Sequence, residues 1–169
     1  PLPATVYGTE NTLHMETRTT DMDKDGDLDL IISHSRYSPY YGGDYLQIIR
    51  NDAGKFVDIT STAIRQDNSD VYAGFLQWSP ALYVKDVSKD GKDDIVFARQ
   101  DGTLRIFINE NGASFRNFNV SLPPSEGSGK LVGFDDFDGD GNFEAVYWQY
   151  GGTADRKDYF VNLYKLIFA

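Results

Sequence analysis

Three short stretches of the chain concentrate carboxylates at a spacing suited to holding a cation. The first is Asp21-Met22-Asp23-Lys24-Asp25-Gly26-Asp27-Leu28-Asp29, the second Asp86-Val87-Ser88-Lys89-Asp90-Gly91-Lys92-Asp93-Asp94, and the third Asp136-Phe137-Asp138-Gly139-Asp140-Gly141-Asn142-Phe143-Glu144. They align without gaps, their first residues standing 65 and 50 positions apart. Oxygens crowded into so few residues repel one another when empty, and a hard dication removes that conflict. Ca²⁺ takes 6–8 oxygen ligands and tolerates irregular geometry, whereas Mg²⁺ demands a tighter octahedron and keeps its waters. In the first stretch the expected ligands are Asp21, Asp23, Asp25, the Asp27 carbonyl and Asp29. In the second they are Asp86, Ser88, Asp90, the Lys92 carbonyl and Asp94. In the third they are Asp136, Asp138, Asp140, the Asn142 carbonyl and Glu144. Ser88 puts a neutral hydroxyl where the other two have a carboxylate, so the second site is expected to be the weakest. The Gly at the sixth place permits the sharp turn.

The opening of each stretch resembles an EF-hand loop, but that motif needs a Glu at position 12 and flanking helices. Position 12 here is Ile32, Phe97 or Tyr147, each inside an apolar run, and the closing acid sits at position 9. A single loop of this kind reads equally well as a solvated Asp-Gly turn. Three in register, each in the same context, favour about three bound Ca²⁺ ions with a structural role. Sites that fill only where calcium is plentiful, at dissociation constants of roughly 10⁻⁴–10⁻³ M, suit a secreted, periplasmic or cell-surface location.

The segments that must position these loops are short strands. One lies before each loop (Leu13–Arg18, Ala81–Lys85, Leu131–Phe134) and one after it (Leu30–Ser33, Ile95–Ala98, Ala145–Tyr150). A third follows (Tyr45–Ile49, Leu104–Ile108, Tyr159–Ile167). In the first two units an Asn/Gly turn then leads into a fourth, Phe56–Thr60 and Phe115–Val120. The pattern predicts an all-β chain of about three four-stranded antiparallel meanders, at roughly 11–60, 79–121 and 130–169 of a single 1–169 module. Helical periodicity is absent apart from one turn at Ser61–Gln66.

Composition agrees. Of 26 acids 21 are Asp, a poor helix former, and with 16 Gly this favours turns. A net charge of −10 argues against binding nucleic acid, which wants a basic face. No apolar run is long enough to span a membrane. With no Cys there is no disulfide framework, thiolate zinc site or Cys nucleophile. The chain opens Pro1-Leu2-Pro3 with no targeting pattern, and reads as a processed mature chain or a trimmed fragment.

Asp-x-Asp-x-Asp-Gly-x-x-Asp followed by an apolar strand resembles the FG-GAP/VCBS repeat of integrin α subunits and bacterial secreted proteins. The Asp21–Asp29 copy matches fully, while Ser88 and Glu144 depart from the pattern. The resemblance implies β-propeller blades, one four-stranded blade per repeat, with calcium between the first and second strands. Three blades do not close a ring, since propellers carry ~4–8. The expectation is therefore a partial propeller, completed by further blades of the same protein or by a homo-oligomer. Ala4–Thr9 is expected as a lone extended segment.

In a meander successive loops alternate between the two ends, so the end opposite the acidic loops is rich in aromatics. Its first loop spans His34 to Asp44 and carries Arg36, Tyr37, Tyr40 and Tyr41. Nearby are Tyr72, Phe75 and Trp78 in the link to the second unit, and Tyr150 in the third. Long loops often carry function, and Tyr and Trp beside Asp and Arg suit a carbohydrate or an extracellular protein. The expectation is a recognition module. The alternatives are a non-catalytic portion of a secreted polysaccharide-acting enzyme, or an enzyme using His34 as base. No nucleophile elbow, phosphate loop or zinc motif is present.

Overall fold

A computed structural model describes residues 1–38, 42–64, 81–98, 103–122, 129–151 and 158–167. Three antiparallel sheets follow one another along the chain. The first contains β1 (Thr12–Thr20), β2 (Asp29–Arg36), β3 (Gly42–Asp52) and β4 (Lys55–Asp58) in that spatial order. One helical turn, α1 (Thr60–Ala63), follows. The second sheet contains β5 (Ala81–Lys85), β6 (Asp94–Ala98), β7 (Thr103–Asn109) and β8 (Phe115–Ser121). The third contains β9 (Gly129–Asp135), β10 (Phe143–Gly151) and β11 (Asp158–Leu166), with β10 in the middle.

Every strand pairs only with its chain neighbour, as in a meander, and each acidic loop joins the first strand of a sheet to the second. The first strands of successive sheets lie side by side, β1 by β5 and β5 by β9. The sheets thus stack as partial propeller blades without closing into a barrel.

Alternation within the strands builds two cores, one in each gap between sheets. Met22, Ile31, Leu46 and Ile48 of the first sheet pack on Leu82, Ile95, Phe97 and Phe107 of the second, with Ala63 and Ile64 closing the edge. Val87, Val96, Leu104 and Ile106 of the second pack on Leu131, Phe134, Ala145 and Tyr147 of the third. A strand buried on both faces reads as a continuous apolar run, which is the character of Ile95–Ala98.

Three expectations need correction. The strand expected at Leu30–Ser33 continues to Arg36, and β3 already begins at Gly42. His34 therefore lies inside a strand, paired with His14 and Tyr45, and the connection shrinks to 37–41. Ala4–Thr9 forms turns rather than an extended segment, and lies across the first sheet: Gln47 Nε2 donates to Ala4 O at 3.4 Å and the Tyr7 ring meets Tyr45 edge-on. The third sheet has three strands among the described residues where a four-stranded meander was expected, because no Asn/Gly turn leads from β11 into a fourth.

Candidate metal centres

The three acidic loops share one backbone. Lys24, Lys89 and Gly139, each at the fourth place, have φ of 64°, 62° and 74°. Gly26, Gly91 and Gly141, at the sixth, have φ of 97°, 85° and 85°. Two left-handed residues two apart curl the chain around its first Asp. Asp21 accepts N–H bonds from Asp25 (3.0 Å) and Gly26 (3.1 Å), Asp86 from Asp90 (3.0 Å) and Gly91 (2.9 Å), and Asp136 from Asp140 (3.1 Å) and Gly141 (2.9 Å). The fifth-place Asp25, Asp90 and Asp140 each accept, at 2.9 Å, the N–H two residues on.

The ninth-place acid roots each loop in its sheet. Asp29, fully buried, accepts from Met22 N–H (2.9 Å) and Asn51 N–H (2.8 Å). Asp94, equally buried, accepts from Ser88 N–H (2.9 Å) and Asn109 N–H (2.7 Å). Burial pushes both carboxyl groups above the usual range, against the pull of these N–H donors. Glu144 accepts from Phe137 N–H at 2.9 Å.

Two carboxylate groups are close enough to hold a metal ion: Asp21, Asp23 and Asp29 in the first loop, and Asp136, Asp138 and Glu144 in the third. Within each, the oxygens lie within 4.8 Å of one another. In the first loop Asp23 Oδ1 is buried with no hydrogen-bond partner, whereas the Ser88 hydroxyl lies against Asp90 and Asp94 and Glu144 Oε1 has the Lys165 ammonium at 3.5 Å. Buried oxygens are normally paired, so the lone Asp23 oxygen among three carboxylates fits an oxophilic cation. The loops differ in the charges around them. Lys92 Nζ bonds Asp90. Lys165 Nζ bonds Asp138 (2.9 Å) and Asp140, and stands 3.5 Å from Glu144 Oε1. The first loop has no such ammonium among the described ion pairs.

A family model described as an FG-GAP-like repeat matches residues 86–153. The chain carries an FG-GAP-like repeat. The matched span begins at the first Asp of the second loop and ends two residues past β10, so it holds two of the three loops. No curated protein matches the chain. An FG-GAP-like repeat points to a β-propeller-type interaction module.

The first two sheets are locked together by residues that sequence reading treated only as turn formers. Asn51 donates its N–H to Asp29 and its side chain to Leu28 O (3.2 Å), while its Oδ1 accepts from Gly54 N–H (2.8 Å). Asn109 repeats the pattern with Asp94, Asp93 O (3.2 Å) and Gly112 N–H (2.6 Å), and also reaches Met22 O in the preceding loop at 2.8 Å. A Cβ at Gly112 would lie 2.3 Å from Asp23 Cβ. The turn of the second sheet thus rests on the acidic loop of the first. The available signal was an Asn three residues before a Gly in both units, Asn51 with Gly54 and Asn109 with Gly112.

At the opposite end the described residues are few. His34 is buried; its Nε2 meets Gln47 Oε1 at 3.0 Å, and its ring lies against those of His14 and Tyr45. Burial above all lowers its pKa to about 4. Arg36 ends β2, and Tyr37 is exposed beside it. Asp44 and Tyr150 lie in β3 and β10. Tyr40, Tyr41, Tyr72, Phe75 and Trp78 fall outside the described residues. Among the described residues no helix is long and apolar enough to cross a membrane.

Proposed function

We propose that this chain is a calcium-stabilised recognition module that binds a carbohydrate or a protein at the extracellular surface or in a secreted assembly. The observation that carries the calcium reading is the first loop. Asp21, Asp23 and Asp29 bring carboxylate oxygens within 4.8 Å, and Asp23 Oδ1 is buried and unpaired. Asp21, Asp23, Asp25 and Asp29 with the Asp27 carbonyl would hold the ion there, and the corresponding residues of the other loops would hold theirs. A bound dication supplies charge neutralisation and a tie between strands; every contact to the ligand belongs to the other end.

Recognition rather than turnover is supported by His34, whose burial against Gln47 keeps it from exchanging protons with a solvent-side substrate. The exposed Tyr37 and the Tyr and Trp residues around it in sequence supply rings for stacking on sugars or for a protein contact.

Melting with and without a chelator tests the metal. A site filled 100-fold above its dissociation constant adds about 2.7 kcal/mol, so Tm should fall by roughly 5–10 °C per emptied site. An unchanged Tm overturns the calcium reading. A glycan array alongside a pull-down separates the two ligand classes.

A further inference from the structure

His34 carries a ring nitrogen that nothing in the fold uses. Asp58, at the end of β4, accepts a side-chain N–H of Gln47 at 2.8 Å. An ionised carboxylate only accepts, so this bond fixes the Gln47 amide with Oε1 toward His34 Nε2, 3.0 Å away. Oε1 accepts too, so Nε2 carries the ring proton and donates it. Nδ1 is then a bare lone pair. It is buried without a hydrogen-bond partner, on a residue only 5% exposed. Buried polar atoms are normally paired. Protonation does not relieve this one at neutral pH, because burial lowers the ring's pKa to about 4.

β2 lies between β1 and β3. Gln47 approaches from β3, and the two nitrogens of an imidazole point away from each other, so Nδ1 is turned to the β1 side. There His14 stands directly opposite His34 in the strand pairing, the ring centres 5.8 Å apart. An ion about 2.1 Å beyond a ring nitrogen stands roughly 3.2 Å from that ring's centre, so two rings share one when their centres are at most about 6.4 Å apart. The histidine pair meets that limit.

We propose that His14 and His34 together bind one divalent transition-metal ion of the kind imidazole prefers, zinc or copper, through His34 Nδ1 and a ring nitrogen of His14. Asp58 and Gln47 form the support that such a ligand uses, since an imidazole on a metal donates its other N–H to a group that fixes its tautomer. Calcium prefers hard oxygen donors, so this pair and the acidic loop at the other end of β1 and β2 select different ions. His14 is exposed, which leaves the ion's remaining positions to water or to a donor from outside the chain.

Zinc titration followed by the nitrogen chemical shifts of the two histidine rings tests this, in excess calcium to compete for oxygen ligands. His34 Nδ1 and one nitrogen of His14 should shift together, complete at one ion per chain, while His34 Nε2 keeps its proton. His14→Gln, at an exposed position, and His34→Gln should each weaken zinc binding by at least roughly tenfold. Asp58→Asn keeps both ligands but lets the Gln47 amide turn over, and should weaken it by roughly tenfold as well. Shifts confined to His14 overturn the proposal and leave a one-ring surface contact. Zinc binding that moves neither ring, or that is unchanged in His14→Gln, overturns it equally. The ring shifts report this pair alone, whatever ion the acidic loops take.

Discussion

Lys165 Nζ lies 2.9 Å from Asp138 Oδ2, at the mouth of the third acidic loop. The same ammonium bonds Asp140, holding that carboxyl down to about 2. The third loop therefore already has a cation among its carboxylates, supplied by the end of β11, and any dication entering there would compete with it.

Lys165→Met should therefore make calcium binding at the third loop stronger by roughly tenfold, the order expected for one nearby charge at a screened surface. Without calcium the same variant should melt lower than the parent. Calcium titration followed by calorimetry checks both signs. An unchanged affinity would mean the ammonium plays no part at the site.

Asp23 and Asp29 should separate metal binding from folding. Asp29 satisfies the N–H groups of Met22 and Asn51 in a fully buried position. Asp29→Ala strands two donors at roughly 1–3 kcal/mol each, so it should destabilise with or without calcium. Asp23 Oδ1 has no partner to lose. Asp23→Asn should abolish the calcium response of the first loop while leaving the chelated protein within about 1 kcal/mol of the parent. Chemical denaturation in chelator and in calcium distinguishes the two.

The positive-φ places give opposite expectations. Gly112, at φ 77°, would put a Cβ 2.3 Å from Asp23 Cβ. Gly112→Ala should cost more than about 2 kcal/mol and loosen the contact between the first two sheets. Lys24, at φ 64°, holds a left-handed conformation that glycine adopts freely. Lys24→Gly should stabilise by about 0.5–1 kcal/mol. Urea midpoints report both.

His34 predicts acid sensitivity. Burial, with a contribution from His14, lowers its pKa to about 4 from the ordinary 6.5. The unfolded chain binds this proton first, so stability contributed by neutral His34 is complete above pH 6.5 and is lost as pH falls to about 4. The loss approaches about 3 kcal/mol at about 1.4 kcal/mol per unit. Comparing parent and His34→Gln across this range checks it, since the gap between them should narrow as pH falls.

The meanders, the acidic loops and their order along the chain were legible in the sequence because each depends on local patterns. Alternation marks a strand, Asn/Gly marks a hairpin, and Asp at alternate places before a Gly marks the turn. Leu104–Ile108 lies within β7 because its apolar run is bounded by such signals. The reach of β2 to Arg36 was hidden because His34 and Ser35 look like loop residues. They are strand residues because Tyr45 and residues 4–7 bury that face, a contact made across the sheet. Even the Lys at the fourth loop place gave no hint of its left-handed backbone, which only the bonds closing around Asp21 and Asp86 impose.

By itself the sequence determined three repeated β units with an oxygen-rich turn in each, since those follow from residue type and spacing over a few neighbours. Tertiary structure alone decided that Asn109 and Gly112 seat the second unit on the first, that Lys165 guards the third loop, and that His34 keeps a bare ring nitrogen beside His14. Each of these joins residues far apart in the chain, through contacts set by how whole sheets stack, and no local pattern encodes which face of a sheet will find a neighbour.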